Sequence, residues 1–320
     1  MVRPKVFVTQ RIFPEALEWL KQEAEVEGGQ AEAPLSKEEI LKAVEDKDGL
    51  LTLLVNQIDR EIIERAKRLK IIANCAVGYD NIDVDFCRQR GIFVTNTPGV
   101  LTEATADLTW ALILAVARKI PQADLFTRAG RFRGWALDLF LGQEVYGQTL
   151  GIIGFGRIGQ AVARRALGFS MKIFYYDLKR LSAEEERNLQ ATYLPLDELL
   201  KRSDIITIHT SLNPSTYHLI NQERISLMKK TAILINVARG PIVDEAALAS
   251  ALKDGKIWGA GLDVYEREPE IENKLLSLEN VVLLPHIGSA TRTTRLQMAM
   301  TAVRNLLQGL SGQRPDNLVW

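Results

Sequence analysis

The chain has 320 residues, 47% of them hydrophobic and 25% charged, the composition of a soluble globular protein rather than a disordered one, with length for about two domains. Lysine plus arginine number 40 and aspartate plus glutamate 40, and that balance removes the usual electrostatic argument for nucleic acid or an anionic membrane as a partner. Its two cysteines, Cys75 and Cys87, cannot build a disulfide framework, so a reducing compartment is the default. The N-terminus, Met1 to Lys5, runs straight into the apolar Val6-Phe7-Val8 with no signal-peptide core. The longest apolar run, Ala111 to Ala117 with Leu108–Trp110 before it, is too short for a bilayer. A cytoplasmic protein is expected.

In chain order, strands are predicted at 5–9, 49–54, 71–74 and 92–95. Helices with explicit start signals fall between them. Ser36 and Glu39 form a capping box, Asp59 precedes Arg60-Glu61-Ile62, and Asp83 opens a short helix that stops at Gly91. A second run predicts strands at 149–153, 172–176, 205–209, 232–236, 258–262 and 281–284. Its helices include 158–167 and 245–253, the latter between Asp244 and Gly255. Strands alternating with helices point to parallel βαβ units.

Between the runs, the Ala- and Leu-rich 101–118 reads as a buried helix. The Gly-, Trp- and Phe-rich 126–146 reads either as a loop packed on the body or as an arm onto a partner chain. A last helix is expected near 293–307, followed by an apolar end, Asn317–Trp320, that docks back. The expected domains are 1–99 plus 287–320, and 100–286.

Leu150-Gly151-Ile152-Ile153 has a buried-strand pattern and leads at once into Gly154-Phe155-Gly156-Arg157-Ile158-Gly159, then into helix formers. At such a junction Gly154 permits the tight turn, Gly156 admits a pyrophosphate to the backbone, and Gly159 lets helix and strand pack closely. The helix N-terminus then binds the anion. Asp177 ends the next strand, 18 residues after Gly159, where a carboxylate binds the adenosine ribose. A 2′-phosphate beside that carboxylate is repelled by roughly 1–4 kcal/mol, which favours NAD over NADP. Lys179 and Arg180 oppose this, since either could pair with the phosphate; the alternative is a solvated charged turn.

The sequence has three histidines, His209, His218 and His286. An alcohol–ketone interconversion needs a proton donor working near neutrality. His218 lies in a polar loop and reads as exposed. His209 ends a strand, so it could line a cofactor cleft, with no acid evident nearby. His286 follows the apolar Val281–Leu284 and Pro285, at a strand's carboxyl end, where ligands bind in open α/β sheets. Two more strand ends carry Arg239 and Glu268. Arg239 suits a substrate carboxylate or pairs with Asp244. Glu268 suits a histidine's partner or is one acid of a wet loop.

These segments resemble the D-2-hydroxyacid dehydrogenase family over essentially the whole chain. Asn236-Val237-Ala238-Arg239-Gly240 looks like its arginine motif, Gly261-Leu262-Asp263-Val264-Tyr265 with Glu268-Pro269 like its acidic motif, and Pro285-His286-Ile287-Gly288 like its histidine motif. The resemblance implies two doubly wound parallel-sheet α/β domains, a Rossmann cofactor domain and a flavodoxin-like substrate domain with a cleft between, in a homodimer. It implies that Arg239 binds the substrate carboxylate, that His286 is the general acid/base and that Glu268 is its partner. Cofactor contacts are expected from Gly154, Gly156, Arg157, Ile158, Gly159, Asp177, Thr105, Val237, Ala238 and Asp263, and no metal is expected. Within the family the chain is most similar to glyoxylate/hydroxypyruvate reductases. Ala76-Val77-Gly78-Tyr79-Asp80-Asn81-Ile82-Asp83 looks like their substrate loop, so Val77 and Gly78 amides, with Leu53 bordering the pocket and Trp135 reaching a neighbouring subunit, are the implied substrate contacts. Many of those reductases carry Ser-Arg-like residues in place of Asp177-Leu178-Lys179. The rival readings are a dinucleotide-sensing binding protein similar to C-terminal-binding corepressors, and a phosphoglycerate dehydrogenase without its regulatory domain.

Overall fold

The computed structural model describes residues 3–320; the expectation for the N-terminus rests partly on Met1 and Val2, which lie outside them. The described chain divides into two compact units, residues 3–101 with Ser289–Trp320, and Thr102–Gly288.

The first unit begins with β1 (Lys5–Val8), α1 (Pro14–Glu23), β2 (Glu25–Gly28), α2 (Lys37–Ala43) and β3 (Gly49–Thr52), and continues with α3 (Arg60–Arg65), β4 (Ile71–Asn74), α4 (Val84–Gln89) and β5 (Phe93–Thr95). Every pairing is parallel, in the order β2-β1-β3-β4-β5. Strands β3 and β4 are buried at each position, so they read as unbroken apolar runs rather than alternating ones. The caps act as expected: Ser36 and Glu39 close their box, Asp59 accepts from the Ile62 amide at 3.2 Å, and Asp83 from Phe86 at 3.0 Å. The sequence pattern does not announce β2. It is an exposed edge strand of Glu25-Val26-Glu27-Gly28, defined by its backbone ladder to β1 and not by an apolar face.

The second unit holds α5 (Thr102–Ala117), α6 (Ile120–Arg128), β6 (Thr149–Ile153), α7 (Arg157–Ala166), β7 (Lys172–Tyr176), α8 (Ala183–Asn188), β8 (Ala191–Tyr193) and α9 (Leu196–Arg202). It continues with β9 (Ile205–Ile208), α10 (Gln222–Ser226), β10 (Ile233–Asn236), α11 (Glu245–Lys253), β11 (Gly259–Leu262), α12 (Asn273–Leu276) and β12 (Val281–Leu283). Its sheet is parallel throughout, in the order β12-β11-β10-β9-β6-β7-β8. The chain winds outward from β6 through β7 and β8, then returns to β9 and winds the other way. The reversal between β6 and β9 is the topological switch point, where such sheets bind ligands. α5 is the buried helix expected between the runs. Of the segment 126–146, only the first residues belong to α6; beyond them Trp135 is 83% exposed and Leu137 80%, so this chain's own body leaves those side chains uncovered.

The chain ends with α13 (Arg292–Leu310), capped by Thr291, which accepts from Thr294 at 3.1 Å. This helix packs on the first unit's sheet, where a Cβ on Gly309 would stand 2.5 Å from the Ile71 side chain. The tail then pairs with β5, the Val319 amide donating to Val94 at 3.1 Å. Among the described residues no helix is long and apolar enough to cross a membrane.

Candidate active site

The glycine loop follows β6 and sits at the switch point. Gly154 has φ +87°, and a Cβ there would lie 2.4 Å from the Thr210 amide nitrogen, so both its conformation and its space demand glycine. A Cβ on Gly159 would lie 2.3 Å from the Gly154 carbonyl oxygen, which brings α7 against the turn. Gly156 is different: nothing lies within 4 Å of its missing Cβ. It is the N-cap of α7 and no side chain caps that helix. The first-turn amides of Arg157 and Ile158 therefore have no side-chain cap and stand at the positive end of the helix dipole. Asp177, at the end of β7, accepts from the Phe155 amide at 2.6 Å and from Lys179 at 3.3 Å. Its carboxylate is thus fixed beside the loop. An open, uncapped helix end with an oriented carboxylate next to it fits a dinucleotide.

Three adjacent strands, β10, β11 and β12, bring Arg239, Glu268 and His286 into one unit. After β10 the chain turns on Asn236, which is 1% exposed. Its side chain donates to the Arg239 carbonyl at 2.9 Å and accepts from Ala238 at 3.1 Å, shaping the turn that presents Arg239. Gly240 then packs on the backbone after β11: its missing Cβ would lie 1.8 Å from the Tyr265 carbonyl carbon. Buried Asp263 accepts from the amides of Ile287 and Gly288, each at 2.7 Å, and the Tyr265 hydroxyl donates to the Leu284 carbonyl at 2.8 Å. These bonds stitch the acidic turn to the histidine turn. Burial raises the Asp263 carboxyl above its ordinary range, against the two amides that lower it.

Glu268 closes the arrangement. One carboxylate oxygen accepts from the Tyr265 amide at 3.1 Å and the other lies 2.8 Å from Nδ1 of His286. The two side chains are 27% and 26% exposed, sheltered yet reachable. His286 has φ +53°, a left-handed backbone that a bulky residue adopts only when its surroundings hold it there. Thr105, in the first turn of α5, is buried, its hydroxyl 3.6 Å from the position of a Cβ on Gly288. Val237 is nearly buried beside the Asn236 turn.

The other two histidines differ from their sequence reading. His218 is not simply exposed: its Nε2 lies 3.1 Å from Glu266, at 30% exposure, because the 213–218 turn folds onto the acidic loop. His209 has its Nε2 2.9 Å from the Thr207 hydroxyl and a buried Nδ1 without a hydrogen-bond partner. Burial pushes it down to about 3, so the ring is neutral and unsuited to delivering protons near pH 7.

In the first unit, the loop after β4 is framed by amide side chains. Asn96 donates to the Val77 carbonyl at 2.7 Å, and buried Asn74 donates to the Gly78 carbonyl at 2.8 Å and to Asn81 at 3.1 Å. Asn81 in turn donates to the carbonyls of Leu53 at 3.3 Å and Asn56 at 3.0 Å. Sequence reasoning missed this scaffold, as it missed Asn236; the one available signal was an asparagine as the last residue of a buried strand in both cases.

A family model described as "D-isomer specific 2-hydroxyacid dehydrogenase, NAD binding domain" matches residues 110–288. A glyoxylate reductase of Thermococcus kodakarensis is 52% identical, covering 99% of this chain and 96% of its own, and one of Pyrococcus furiosus is 51% identical over the same shares. A crystal structure of a Thermus thermophilus protein superposes with TM-score 0.93 at 47% identity, covering 99% and 100% of the two chains. An NADPH-dependent glyoxylate/hydroxypyruvate reductase of Sinorhizobium meliloti, solved with NADP and malonate, superposes with TM-score 0.87 at 35% identity, covering 99% and 97%.

Proposed function

Because the chain belongs to the D-isomer-specific 2-hydroxyacid dehydrogenase family, we propose that it reduces a small 2-keto acid, glyoxylate or hydroxypyruvate, to the D-2-hydroxy acid with a nicotinamide dinucleotide. The observation that carries this reading is the 2.8 Å pairing of His286 Nδ1 with Glu268 in a unit that also holds the dinucleotide loop. The nicotinamide cofactor, when bound, supplies the hydride.

The chain's own residues have four tasks. The α7 N-terminus, with Gly154, Gly156 and Gly159, holds the pyrophosphate, and Asp177 the adenosine ribose. Thr105, Val237, Ala238 and Asp263 serve the rest of the cofactor; Asp263 also holds the histidine turn through two amides. Arg239 binds the substrate carboxylate with its planar fork and draws charge from the carbonyl. Glu268 holds His286 by Nδ1, so Nε2 delivers the proton to the oxygen that becomes the hydroxyl, and the carboxylate stabilises the imidazolium until then. Leu53, Val77 and Gly78 in the first unit, and Trp135, are assigned to substrate contacts. We further propose a cytoplasmic homodimer. The uncovered Phe132, Trp135, Leu137 and Leu141, all more than half exposed, support an arm onto a second copy.

The test is NADH oxidation followed by absorbance over a panel of 2-keto acids, repeated with His286→Ala. Turnover of glyoxylate or hydroxypyruvate that disappears in the variant supports the reading. Tight NADH binding with no turnover on any acid refutes it in favour of a dinucleotide sensor.

A further inference from the structure

Whether a family member takes NADH or NADPH depends on what meets the adenosine 2′ position: a carboxylate on the hydroxyl, or an arginine on the phosphate. This chain has both at the end of β7, Asp177 and, three residues on, Arg180. Their sequence leaves the choice open. Their surroundings do not.

Arg180 is already engaged. Its Nε donates to Glu186 at 2.8 Å and its Nη2 to the other oxygen of the same carboxylate at 3.0 Å, a bidentate fork of the kind a phosphate would otherwise receive. The guanidinium carbon also lies 5.6 Å from the Tyr193 ring centre. Isolated surface ion pairs hold little, because two long side chains wander. This one is anchored at its acidic end. Glu186 is 14% exposed and accepts a third bond at 2.8 Å from the hydroxyl of Tyr175. Tyr175 is fully buried, accepts from the Leu181 amide at 2.9 Å, and stacks on Phe155 of the glycine loop at 4.2 Å. The bonds from Arg180 and Tyr175 hold the Glu186 carboxyl below its usual range. The clamp is thus built into the cofactor loop's own packing.

We propose that Glu186 is a cofactor-specificity residue: it withholds Arg180 from a 2′-phosphate, so that Asp177 selects NADH without a competing cation fork. The inference rests on reading this unit as the nicotinamide-dinucleotide domain. Lys179 remains on the exposed turn, but a flexible ammonium lacks the planar geometry that makes an arginine a 2′-phosphate reader. Two acids therefore act in sequence, one repelling the phosphate and one disarming the arginine.

The experiment measures dissociation constants of NADH and NADPH by nicotinamide fluorescence, on folded protein checked by circular dichroism. Glu186→Gln keeps an acceptor for Tyr175 while removing the charge and one arm of the fork. It is expected to tighten NADPH about tenfold, to leave NADH within about twofold, and to lose that gain when Arg180→Ala is added. An unchanged NADPH constant, or a gain that survives without Arg180, overturns the proposal. Arg180→Ala alone guards against a misfolded glutamine variant. If Arg180 is withheld, its removal leaves NADPH affinity where it was; if NADPH weakens severalfold, Arg180 already serves the phosphate and the proposal falls. Loss of NADH binding by the unaltered protein would instead sink the dinucleotide reading beneath it.

Discussion

Gly240 and Tyr265 touch backbone to backbone: the hydrogen that Gly240 carries in place of a Cβ points at the Tyr265 carbonyl carbon, where a methyl would come within 1.8 Å. The turn that presents Arg239 therefore rests directly on the turn that presents Glu268, and neither backbone can yield without moving a proposed catalytic group. Gly240→Ala is expected to cost about 1–3 kcal/mol of stability through overpacking and to lower kcat/KM for the keto acid by at least about tenfold. Gly168→Ala is the control, since nothing lies within 4 Å of its missing Cβ. Urea unfolding and steady-state kinetics on both variants check this; equal effects at the two sites would show that the contact does not matter.

If His286 and Glu268 act as one unit, their removals should not multiply. His286→Ala is expected to lower kcat by about 10²–10⁴, and Glu268→Gln by less. The double variant should be close to His286→Ala alone, because a carboxylate with no imidazole to hold has nothing left to lose. All three should bind NADH as the unaltered protein does. A double variant whose loss equals the product of the single losses would show that the 2.8 Å contact is not a working pair.

How much of this was legible in the sequence depended on how each feature is encoded. The parallel strands showed themselves because burial on both faces leaves unbroken apolar runs, as in Ile71–Asn74 and Ile205–Ile208. The caps at Ser36, Asp59, Asp83 and Asp244 showed because a cap is a local hydrogen bond. Glu25–Gly28 and Ala191–Tyr193 did not, since these two edge strands lack the apolar run that announced the edge strands Phe93–Thr95 and Val281–Leu283 and are defined by a neighbour's backbone. Of the candidate site, Arg239, Glu268 and His286 were visible as polar residues at the ends of apolar runs. Their stitching through Asn236, Asp263 and Gly240 was not. Nor was the His218–Glu266 pair, whose members stand 48 residues apart and meet only after the sheet forms.

The asparagine scaffold of the first unit gives a separate prediction. Asn74 is fully buried and donates to the Gly78 carbonyl and to Asn81. Asn74→Ala leaves that carbonyl and the Asn81 side-chain oxygen short of a donor, at about 1–3 kcal/mol of stability. Because it also frees the Gly78 peptide plane, KM for the keto acid should rise severalfold while the NADH dissociation constant holds. Asn74→Asp should be worse for KM, as a carboxylate facing a carbonyl oxygen repels where the amide donated. An unchanged KM in both variants would separate this scaffold from the substrate.

His209 supplies the pH dependence. Its imidazole is held near the switch point by the bond of its amide to Ile153 at 2.7 Å and by Thr207, and burial lowers it from an ordinary 6.5 to about 3. Between those values the unfolded chain takes up a proton that the folded one refuses. More protons bound in the unfolded state means that stability rises with pH. His209 thereby costs the fold up to about 1.4 kcal/mol for each pH unit below about 6.5, and nothing above it. His209→Gln removes the titration and loses a bond to Thr207 worth about 1 kcal/mol. The variant should therefore be the less stable protein at pH 7.5 and should gain on the unaltered one as the pH falls through 6 to 5. Urea midpoints at those three values decide it: stability curves that stay parallel would mean that the ring is protonated in the folded state after all.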